Sequence, residues 1–544
     1  MNFYVSIAPV IALPNSPTAQ GEITVSIAHI AFFAPTAVLI ALIVAFTGTQ
    51  MRPNIWRLRA IEALIMSAFI AAIATCIALI TTGPSTADIL TVTGLGLSAR
   101  IDAVSATMLL LVSFVGWVVV RFAGTYMDGE AKQGPFTRWL CATLAAVMLL
   151  VMAGNLLQLG AAWIATSLFL HKLLLHYPSR IAAQRAARKK WITARLSDAA
   201  IVMAAVLLYA TYSTGDIADI LAAARAGNAT TTSVWIAAAL ALAAILKSAQ
   251  FPMHGWLTEV METPTPVSAL LHAGVINAGG FLLIRFADVM LLSPAVLAIL
   301  VMLGGFTALF GGLVMLTQPA VKTSLAWSTV AQMGFMILQC GLALFPLALL
   351  HIVAHSLYKA HAFLASGHAV DNVAAIRRPG PIAIPNGRAV TSAFVIALLI
   401  YAGIGVLFGM TQKSPQAIAL GAILIFGVAY LLAQGLADAA PRVLTRRTAA
   451  YSVAAATGYF GLQTAAYWMT QNTLPATPTP GPLEWALIIL ALMSFGLVAV
   501  AQAMFPLWAY HPAAAGLRIH LSNGLYANAI FDKLLRGWST KHPS

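Results

Sequence analysis

A lysine stands at the end of a long apolar segment, where a membrane helix is expected to carry no charge. The segment SVWIAAALALAAI leads into LKSAQFPMHGWLTEVMETPTPVSALLHAG, so Lys247 follows a dozen apolar residues and precedes Phe251-Pro252. Proline removes a backbone donor and clashes with the preceding turn, so the helix should break there and leave free carbonyls beside the ammonium. Burial and a nearby carboxylate move a lysine's pKa in opposite directions, so such a group is suited to taking up and releasing protons.

Further ionisable residues follow in the same stretch. Glu259 and Glu262 are near Lys247 in sequence, and His272 lies just inside the next apolar span, after TPTP. Ionisable groups inside a membrane are energetically costly, so they are rare there without a function. A side chain that snorkels to the interface, or a histidine bonded to a carbonyl, is the alternative for any one of them. Their recurrence favours a path for protons.

A regular stripe of titratable residues occurs in HIVAHSLYKAHAFLASGH. His351, His355 and Lys359 are spaced four apart and fall within about 80° on one helix face. His361 and His368 point to the other side. Imidazoles titrate near neutral pH, so the stripe predicts a proton path across half a membrane, turned towards the seventh and eighth spans. Helix-packing histidines are the alternative.

Two more lysines are weaker candidates. Lys322, in LTQPAVKTSLAWSTVAQMG, lies at the start of its span, where snorkelling to the interface is a competing explanation. Lys413 follows YAGIGVLFGMTQ at the end of another span. Its position alone indicates an ordinary lysine of an outer loop.

The elements that must position these residues are membrane helices. The chain has 544 residues, of which 60% are hydrophobic and only 8% charged, which excludes a soluble globular protein. Continuous apolar runs, each long enough to cross about 30 Å of hydrocarbon, predict an all-α polytopic membrane protein with about 15 transmembrane helices. β-Barrel strands are excluded because the runs do not alternate. The predicted spans are 23–47, 58–82, 103–123, 138–154, 155–176, 198–213, 233–250, 265–289, 293–316, 320–342, 346–369, 389–411, 415–436, 448–470 and 482–507.

These spans group into four parts. Residues 1–137 hold the first three, 138–291 a first block of five, 292–437 a second block of five, and 438–544 the last spans with a tail. Two successive five-helix blocks have opposite topology, the arrangement from which transporters build half-channels around a midplane site. We therefore predict two inverted repeats with broken helices.

The lysines and arginines indicate the orientation. With the N-terminus outside and alternating spans, 24 of the 30 fall on one side and 4 on the other, while Lys247 and Lys359 lie within spans. The cation-rich side is predicted to be the cytoplasm, with the C-terminus there. The richest cluster is the loop PSRIAAQRAARKKWITAR (178–195). Positive-inside loops that contact anionic lipid explain the net charge of +14, and no nucleic acid partner is expected.

No cofactor is expected in this chain, because its three cysteines are isolated and form no metal, iron–sulfur or disulfide pattern. The pieces outside the membrane are too short for a catalytic domain; the longest are 177–197, 371–388 and the tail 508–544. We therefore expect a transporter subunit and no enzyme. A partner that carries out chemistry would dock on the cytoplasmic face, at 178–195, 371–388 and the tail.

Three segments resemble the proton-translocating antiporter-like subunits of respiratory complex I and of multisubunit Na⁺/H⁺ antiporters. LKSAQFPMHGWLTEVMETPTPVSALLHA is similar to that family's KSAQxPxxxWLPDAMxGPTPVSALxHA, and LTQPAVKTSLAWSTVAQMGFM and ALLHIVAHSLYKAHAFLASG match two further family segments in order. The resemblance implies that Lys247 loads protons on a broken seventh helix and that Lys359 is the central lysine. It also implies a central hydrophilic axis lined by His272, Lys322, His351 and His355.

Two departures from the family pattern bear on the mechanism. In NLLQLGAAWIATSLFLHKLLLHY the tryptophan is retained as Trp163, but Ile164 occupies the position of the glutamate that pairs with the seventh-helix lysine. Lys247 must then find another partner, stay neutral longer or work in a different cycle. Lys413 falls on the lysine of the family's second broken helix, but the paired prolines before it are replaced by glycine and valine.

The chain resembles one branch of this family, the membrane subunits of the bacterial DAB inorganic-carbon accumulation systems. The shared features are the missing glutamate, the basic loop and a tail reading HLSNGLYANAIFDKLL. That resemblance implies a cytoplasmic partner, DabA, with a zinc site like that of a β-carbonic anhydrase. It implies that a cation gradient, of protons or Na⁺, drives conversion of CO₂ to bicarbonate there. The alternatives are a subunit of a proton-pumping complex I or hydrogenase, a Mrp-type Na⁺/H⁺ antiporter subunit, a passive membrane scaffold and an inactive copy.

Overall fold

The chain is built almost wholly from helices, as predicted. The computed structural model describes residues 27–47, 54–92, 95–227, 229–368, 386–436, 442–504, 508 and 511–535. The helices of the N-terminal part and of the first block are α1 (Ile27–Phe46), α2 (Ile55–Thr82), α3 (Ala103–Tyr126), α4 (Gln133–Val151), α5 (Leu156–Leu174), α6 (Ile181–Tyr212), α7 (Ile217–Arg225), α8 (Ser233–Lys247), α9 (Gly255–Thr258), α10 (Thr265–Ala273), α11 (Ala278–Arg285) and α12 (Ala287–Leu291). Those of the remainder are α13 (Pro294–Met315), α14 (Val321–Gly341), α15 (Phe345–Leu364), α16 (Gly387–Leu407), α17 (Pro415–Gly435), α18 (Arg442–Thr470), α19 (Pro482–Ala503), α20 (Ala515–Ser522) and α21 (Ala527–Leu535).

Every predicted span overlaps at least one helix, which confirms a polytopic all-α membrane protein. Within the described residues, 11 helices are long and apolar enough to cross a membrane. α8 and the described apolar part of α17 are shorter apolar helices. The predicted count of 15 spans is therefore not confirmed. Large apolar side chains remain exposed along these helices, for example Ile80 at 83% and Leu407 at 82%, as expected of surfaces that face lipid.

A β-hairpin, not predicted from the sequence, connects α2 to α3. Its strands β1 (Ser85–Val92) and β2 (Leu95–Ile101) pair antiparallel. The start of α5 holds it in place: Ser98 N donates to Gln158 Oε1 at 2.8 Å, and Asn155 Nδ2 donates to Gly96 O at 2.9 Å. The hairpin therefore anchors the N-terminal helices to the first predicted repeat.

Contacts between connecting segments separate the molecule into two sides. On one side, which we call the basic side, Tyr177 Oη donates to Glu130 Oε1 at 2.9 Å, and Gln318 Nε2 donates to Ser522 O at 3.3 Å. On the opposite side, Arg225 Nη2 donates to Thr473 O at 3.1 Å. The basic side thus carries segments 127–132, 175–180, 248–264, 316–320 and 511–535. The opposite side carries 83–92, 95–101, 152–155, 213–227, 229–232, 342–344 and 471–481.

The expectation that 178–195 forms a basic loop is wrong over most of its length. Residues from Ile181 onwards belong to α6, a helix of 32 residues. Lys189 and Lys190 are buried, with 0% and 5% of their surface exposed. An arginine- and lysine-rich run resembles a solvated loop in sequence, but here α6 packs along α5, α8 and α9, which bury one face of the run.

The predicted break of the seventh span is confirmed. α8 ends at Lys247, the chain then turns through Phe251-Pro252, and a single helical turn, α9, follows. The eighth span is also broken, which the sequence did not predict, because α10 ends before Gly274 and a 3₁₀ turn over Val275–Asn277 precedes α11. Before Lys413 the helix α16 ends, and a 3₁₀ turn over Met410–Gln412 leads to α17.

The predicted division into four parts stays a prediction. The boundary at 291/292 falls between α12 and α13, whereas 137/138 falls inside α4. The boundary at 437/438 and residues 369–385 and 536–544 lie outside the described residues. Inverted symmetry of the two five-helix blocks stays a prediction.

Candidate ion path

Lys247 is buried at the broken end of α8, and neutral groups of α5 surround its ammonium. Only 7% of the residue is exposed. Its Nζ donates to Ser167 Oγ at 2.8 Å and to Trp163 O at 3.2 Å, and it lies 4.4 Å from the centroid of the Trp163 ring. A carbonyl, a hydroxyl and an aromatic face therefore stabilise the charge, while Ile164 supplies no carboxylate.

Asp198, on α6, supplies a negative charge near Lys247 that the sequence analysis missed. The residue is 5% exposed, and its Oδ2 lies 2.5 Å from Nη2 of Arg195. The carboxylate also interacts electrostatically with Lys247 and Lys190. A lone aspartate before the apolar run AAIVMAAVLL is itself the signal that would have identified it, because such a residue is rarely placed there without a function.

Lys190 brings a second ammonium to the same serine. Its Nζ donates to Ser167 O at 2.5 Å, so Ser167 contacts Lys190 through its carbonyl and Lys247 through its hydroxyl. A cavity of about 20 Å³ lies among these three residues and Thr193. That volume suits about one water molecule, which would connect the two lysines. We call Ser167, Lys190, Asp198 and Lys247 the first cluster.

A second cluster joins α10, α14 and α15. His272 is fully buried; its Nδ1 lies 2.9 Å from Thr329 Oγ1, and its ring stacks on Phe363 at 4.3 Å between centroids. The ring of His355 lies near the backbone of His272. Lys359, also fully buried, donates from Nζ to Leu325 O at 2.9 Å. His272 therefore faces α15 and His355 faces α10, as the sequence predicted. Lys359, from the same stripe, faces α14.

His351 continues this stripe towards the opposite side. Its ring centroid lies 6.0 Å from that of His355, and the residue is half-buried against Phe335. The stripe is turned towards the eighth span, since α15 packs on α10 and α11. The expectation that it also faces the seventh span is not met, because α8 packs mainly on α6 and α11.

The break in the eighth span connects the two clusters. Ser248, the residue after Lys247, donates from Oγ to Ile276 O at 3.3 Å. Asn277, at the end of the same turn, donates from Nδ2 to Ser356 Oγ at 2.8 Å, one residue from His355. The 3₁₀ turn over Val275–Asn277 thus lies between Lys247 and the histidine stripe. Among the described residues, Asn277 Oδ1 and His272 Nε2 are buried without a hydrogen-bond partner, as expected where water enters.

The remaining predicted residues lie at the two ends. Lys322 Nζ donates to Thr265 Oγ1 at 3.1 Å on the basic side. Glu259 contacts Lys189 there, away from Lys247, and Glu262 ends the 3₁₀ turn that begins at Val260. Lys413 is half-buried on the opposite side, 5.6 Å from the Phe460 ring centroid, and borders a cavity of about 830 Å³.

The clusters contain the groups that proton transfer needs. Lysine and histidine take up and release protons, and serine, asparagine and water relay them. In the described part of the chain, no group of three or more histidine, cysteine, aspartate or glutamate residues is placed to hold a metal ion. The roles of the individual residues in ion transfer stay a prediction.

Two family descriptions match the chain. Residues 153–415 match the membrane domain described as NADH:quinone oxidoreductase/Mrp antiporter, and residues 91–137 match the N-terminus of complex I chain 5. A related protein from Halothiobacillus neapolitanus, named probable inorganic carbon transporter subunit DabB2, is 38% identical to this chain over 454 residues, which cover 82% of each chain. The chain belongs to the DabB family. It is thus an ion-translocating membrane subunit of the complex I and Mrp antiporter-like class.

Another DabB-family member is similar in sequence, and two solved structures share the fold. The probable inorganic carbon transporter subunit DabB of Hydrogenovibrio crunogenus is 47% identical over 274 residues, covering 50% of this chain and 53% of that one. The Mrp complex of Dietzia sp. shares the fold with a TM-score of 0.60 and 20% identity, over 95% of this chain and 60% of that chain. Respiratory complex I of Thermus thermophilus gives a TM-score of 0.53 at 17% identity, over 92% of this chain and 99% of that chain. The names of these relatives describe subunits of larger complexes.

Proposed function

We propose that this chain conducts protons across a bacterial inner membrane and thereby energises inorganic carbon accumulation by a cytoplasmic, zinc-containing, DabA-like partner. The observation that carries the proposal is the first cluster, in which a buried lysine beside a broken helix has only neutral hydrogen-bond partners and one aspartate nearby. The name of the relative that matches 82% of the chain supplies the substrate class.

Protons fit the clusters better than Na⁺ does. A sodium ion needs several oxygen ligands, whereas an ammonium only donates and repels a cation. The residues along the proposed path are Lys190, Lys247, His272, His355 and Lys359, with Asp198 as the single carboxylate. Such a row passes protons from one neutral base to the next and offers no cage for a metal cation.

The proposed cycle moves one proton between the clusters at a time. A proton on Lys247 leaves its serine and carbonyl partners, passes the 3₁₀ turn Val275–Asn277 and reaches Lys359, His272 and His355, after which His351 carries it onward towards the opposite side. Asp198 stabilises the charged state of Lys247 and so favours reloading. In the partner, CO₂ and water give bicarbonate and a proton, and the gradient keeps that reaction directed towards bicarbonate.

Growth of a carbonic-anhydrase-deficient bacterium in air tests the proposed function. We expect the chain, expressed together with the DabA-like protein encoded in its own genome, to restore growth and to raise the intracellular inorganic carbon pool. Either protein alone should not. A protonophore should collapse the pool, and replacing Na⁺ in the medium by K⁺ should leave it unchanged. If the pool is insensitive to the protonophore but requires Na⁺, the coupling ion is not the proton.

The partner is proposed to dock on the basic side, which we assign to the cytoplasm because most lysines and arginines lie there. Burial of Lys189 and Lys190 leaves the start of α6, with exposed Ile181 and Arg185, as the accessible part of 178–195. The other proposed docking segments are 371–388, of which 371–385 lie outside the described residues, and the tail. In the tail, Ile519 and Ile530 are more than half exposed at 53% and 59%.

We expect deletion of 515–544 combined with Arg185→Gln to abolish co-purification of the partner, because both changes remove exposed basic-side surface. Lys413→Gln, which removes a cation on the opposite side, is the matched control and should leave co-purification unchanged. Affinity purification from detergent-solubilised membranes followed by quantitation of both chains measures this. Full recovery of the partner with the doubly altered chain would show that docking occurs elsewhere.

A further inference from the structure

The C-terminal segment, residues 511–535, folds back beneath the first predicted repeat and encloses Lys189. The Nζ atom of this residue lies 2.7 Å from Glu259 Oε1, 2.8 Å from Asp532 Oδ1 and 3.2 Å from Asn528 Oδ1. Asn528 closes the ring, because its Nδ2 donates to Glu259 Oε1 at 2.7 Å. Only 1% of the Lys189 side chain is exposed. Two residues of the tail and two of the membrane domain thus form one network.

Burial of the Lys189 side chain in this network indicates that the tail covers the basic-side end of α6. Burial raises the pKa of the Glu259 carboxyl, while the Lys189 ammonium acts in the opposite direction. The packing is close: a methyl group added to Gly255 of α9 would collide with the Asn528 side chain. Further along, Gly524 lies against the Trp327 ring of α14 with no space for a larger residue. The segment therefore spans from α6 and α9 to α14.

The network is coupled to the first cluster through consecutive residues of one helix. Lys189 points towards the tail, and Lys190, the next residue and about 100° further around α6, donates to Ser167 O at 2.5 Å. Ser167 in turn holds Lys247 at 2.8 Å. A movement that releases Lys189 from the tail therefore changes the surroundings of Lys190 and opens the first cluster to water from the basic side.

We propose that the C-terminal segment is a latch: Asn528 and Asp532 are positioning residues that hold Lys189 and Glu259 and thereby close the basic-side entrance to Lys247. The latch rests on the proposed function in so far as the entrance leads to a path through Lys247. When the latch opens, Lys190 and Lys247 gain contact with water on the basic side. When it closes, the first cluster exchanges protons only with the second cluster.

The double variant Asn528→Ala/Asp532→Asn, in the purified complex, tests the latch. Hydrogen bonds to a charged group are strong enough that losing two should raise local opening about tenfold or more. We expect faster deuterium uptake in the peptide that contains Lys189, and a several-fold faster proton flux into dye-loaded proteoliposomes. Asn523→Ala, which removes an exposed amide of the same segment, should change neither. Asp532→Asn alone should give an intermediate effect, which guards against misfolding of the double variant.

Each outcome decides a different point. Unchanged exchange around Lys189 overturns the latch, and so does faster exchange without faster proton flux, since the tail is then only a structural cap. If both rise, adding Lys247→Ala separates the two proposals. Loss of the extra flux supports both the latch and the path. Flux that persists without Lys247 supports a latch at this entrance but contradicts the path through Lys247.

Discussion

Lys247→Ala is expected to abolish gradient-dependent inorganic carbon accumulation while the complex still assembles. Folding of this region needs the apolar faces of α5, α6 and α8, whereas transfer needs a titrating group at the break of α8. Removing a group that transfers protons lowers a rate by about 100-fold or more. The measurement is uptake of labelled inorganic carbon by cells, with the amount of complex in the membrane determined in parallel.

Lys247→Arg should fail as well, because a guanidinium keeps the charge but does not release its proton. Lys172→Ala, which removes an exposed lysine at the end of α5, is the matched control and should accumulate carbon normally. Normal accumulation by Lys247→Ala, or an arginine variant equal to the wild type, contradicts a proton carrier at this position and favours the passive scaffold.

Asp198→Asn is expected to lower the same accumulation about tenfold or more, because removing an opposite charge that interacts with an ammonium shifts its protonation equilibrium by that order. Asparagine keeps the size of the side chain and removes the negative charge that acts on Lys247 and Lys190. The control is Asp219→Asn, an exposed residue of α7 on the opposite side. Equal accumulation by the Asp198 and Asp219 variants would show that Lys247 needs no carboxylate.

Placing a glutamate on α5 tests whether the negative charge near Lys247 can be moved from Asp198 to position 164. Position 164 lies one helical turn before Ser167, so a carboxylate there is on the face that holds Lys247. In the wild-type chain, Ile164→Glu should impair accumulation, since the lysine would be held in an ion pair. In the Asp198→Asn background the same change should recover part of the loss. If Ile164→Glu lowers accumulation in both backgrounds and restores none of the loss in Asp198→Asn, this view of Asp198 is excluded.

Parts of the site were predictable because single residues carry a strong local signal. Proline after Lys247 breaks a helix in any context, and the four-residue spacing of His351, His355 and Lys359 fixes a common face. The break at Gly274 has no such marker; it depends on Ser248 and Ser356, which bind the freed turn from other helices. Its existence therefore follows only from tertiary contacts.

The basic run at the start of α6 shows where local composition misleads. Lys189 becomes buried only because Glu259 and Asp532 arrive from distant parts of the chain to surround it. No pattern within 178–195 reports those partners. Asp198, by contrast, was readable in principle, since an aspartate next to a long apolar run is costly in a membrane.

Reconstitution tests most directly whether proton movement through this chain drives carbon conversion. The complex of this DabB-family chain and its DabA-like partner would be placed in liposomes with the partner outside and supplied with CO₂. The bicarbonate formed at the partner's face would then be measured under an imposed proton gradient. We expect bicarbonate to rise above its equilibrium value with the gradient, and to return to that value with a protonophore or with Lys247→Ala. Bicarbonate that never exceeds equilibrium, or exceeds it equally in the Lys247→Ala complex, would contradict the account.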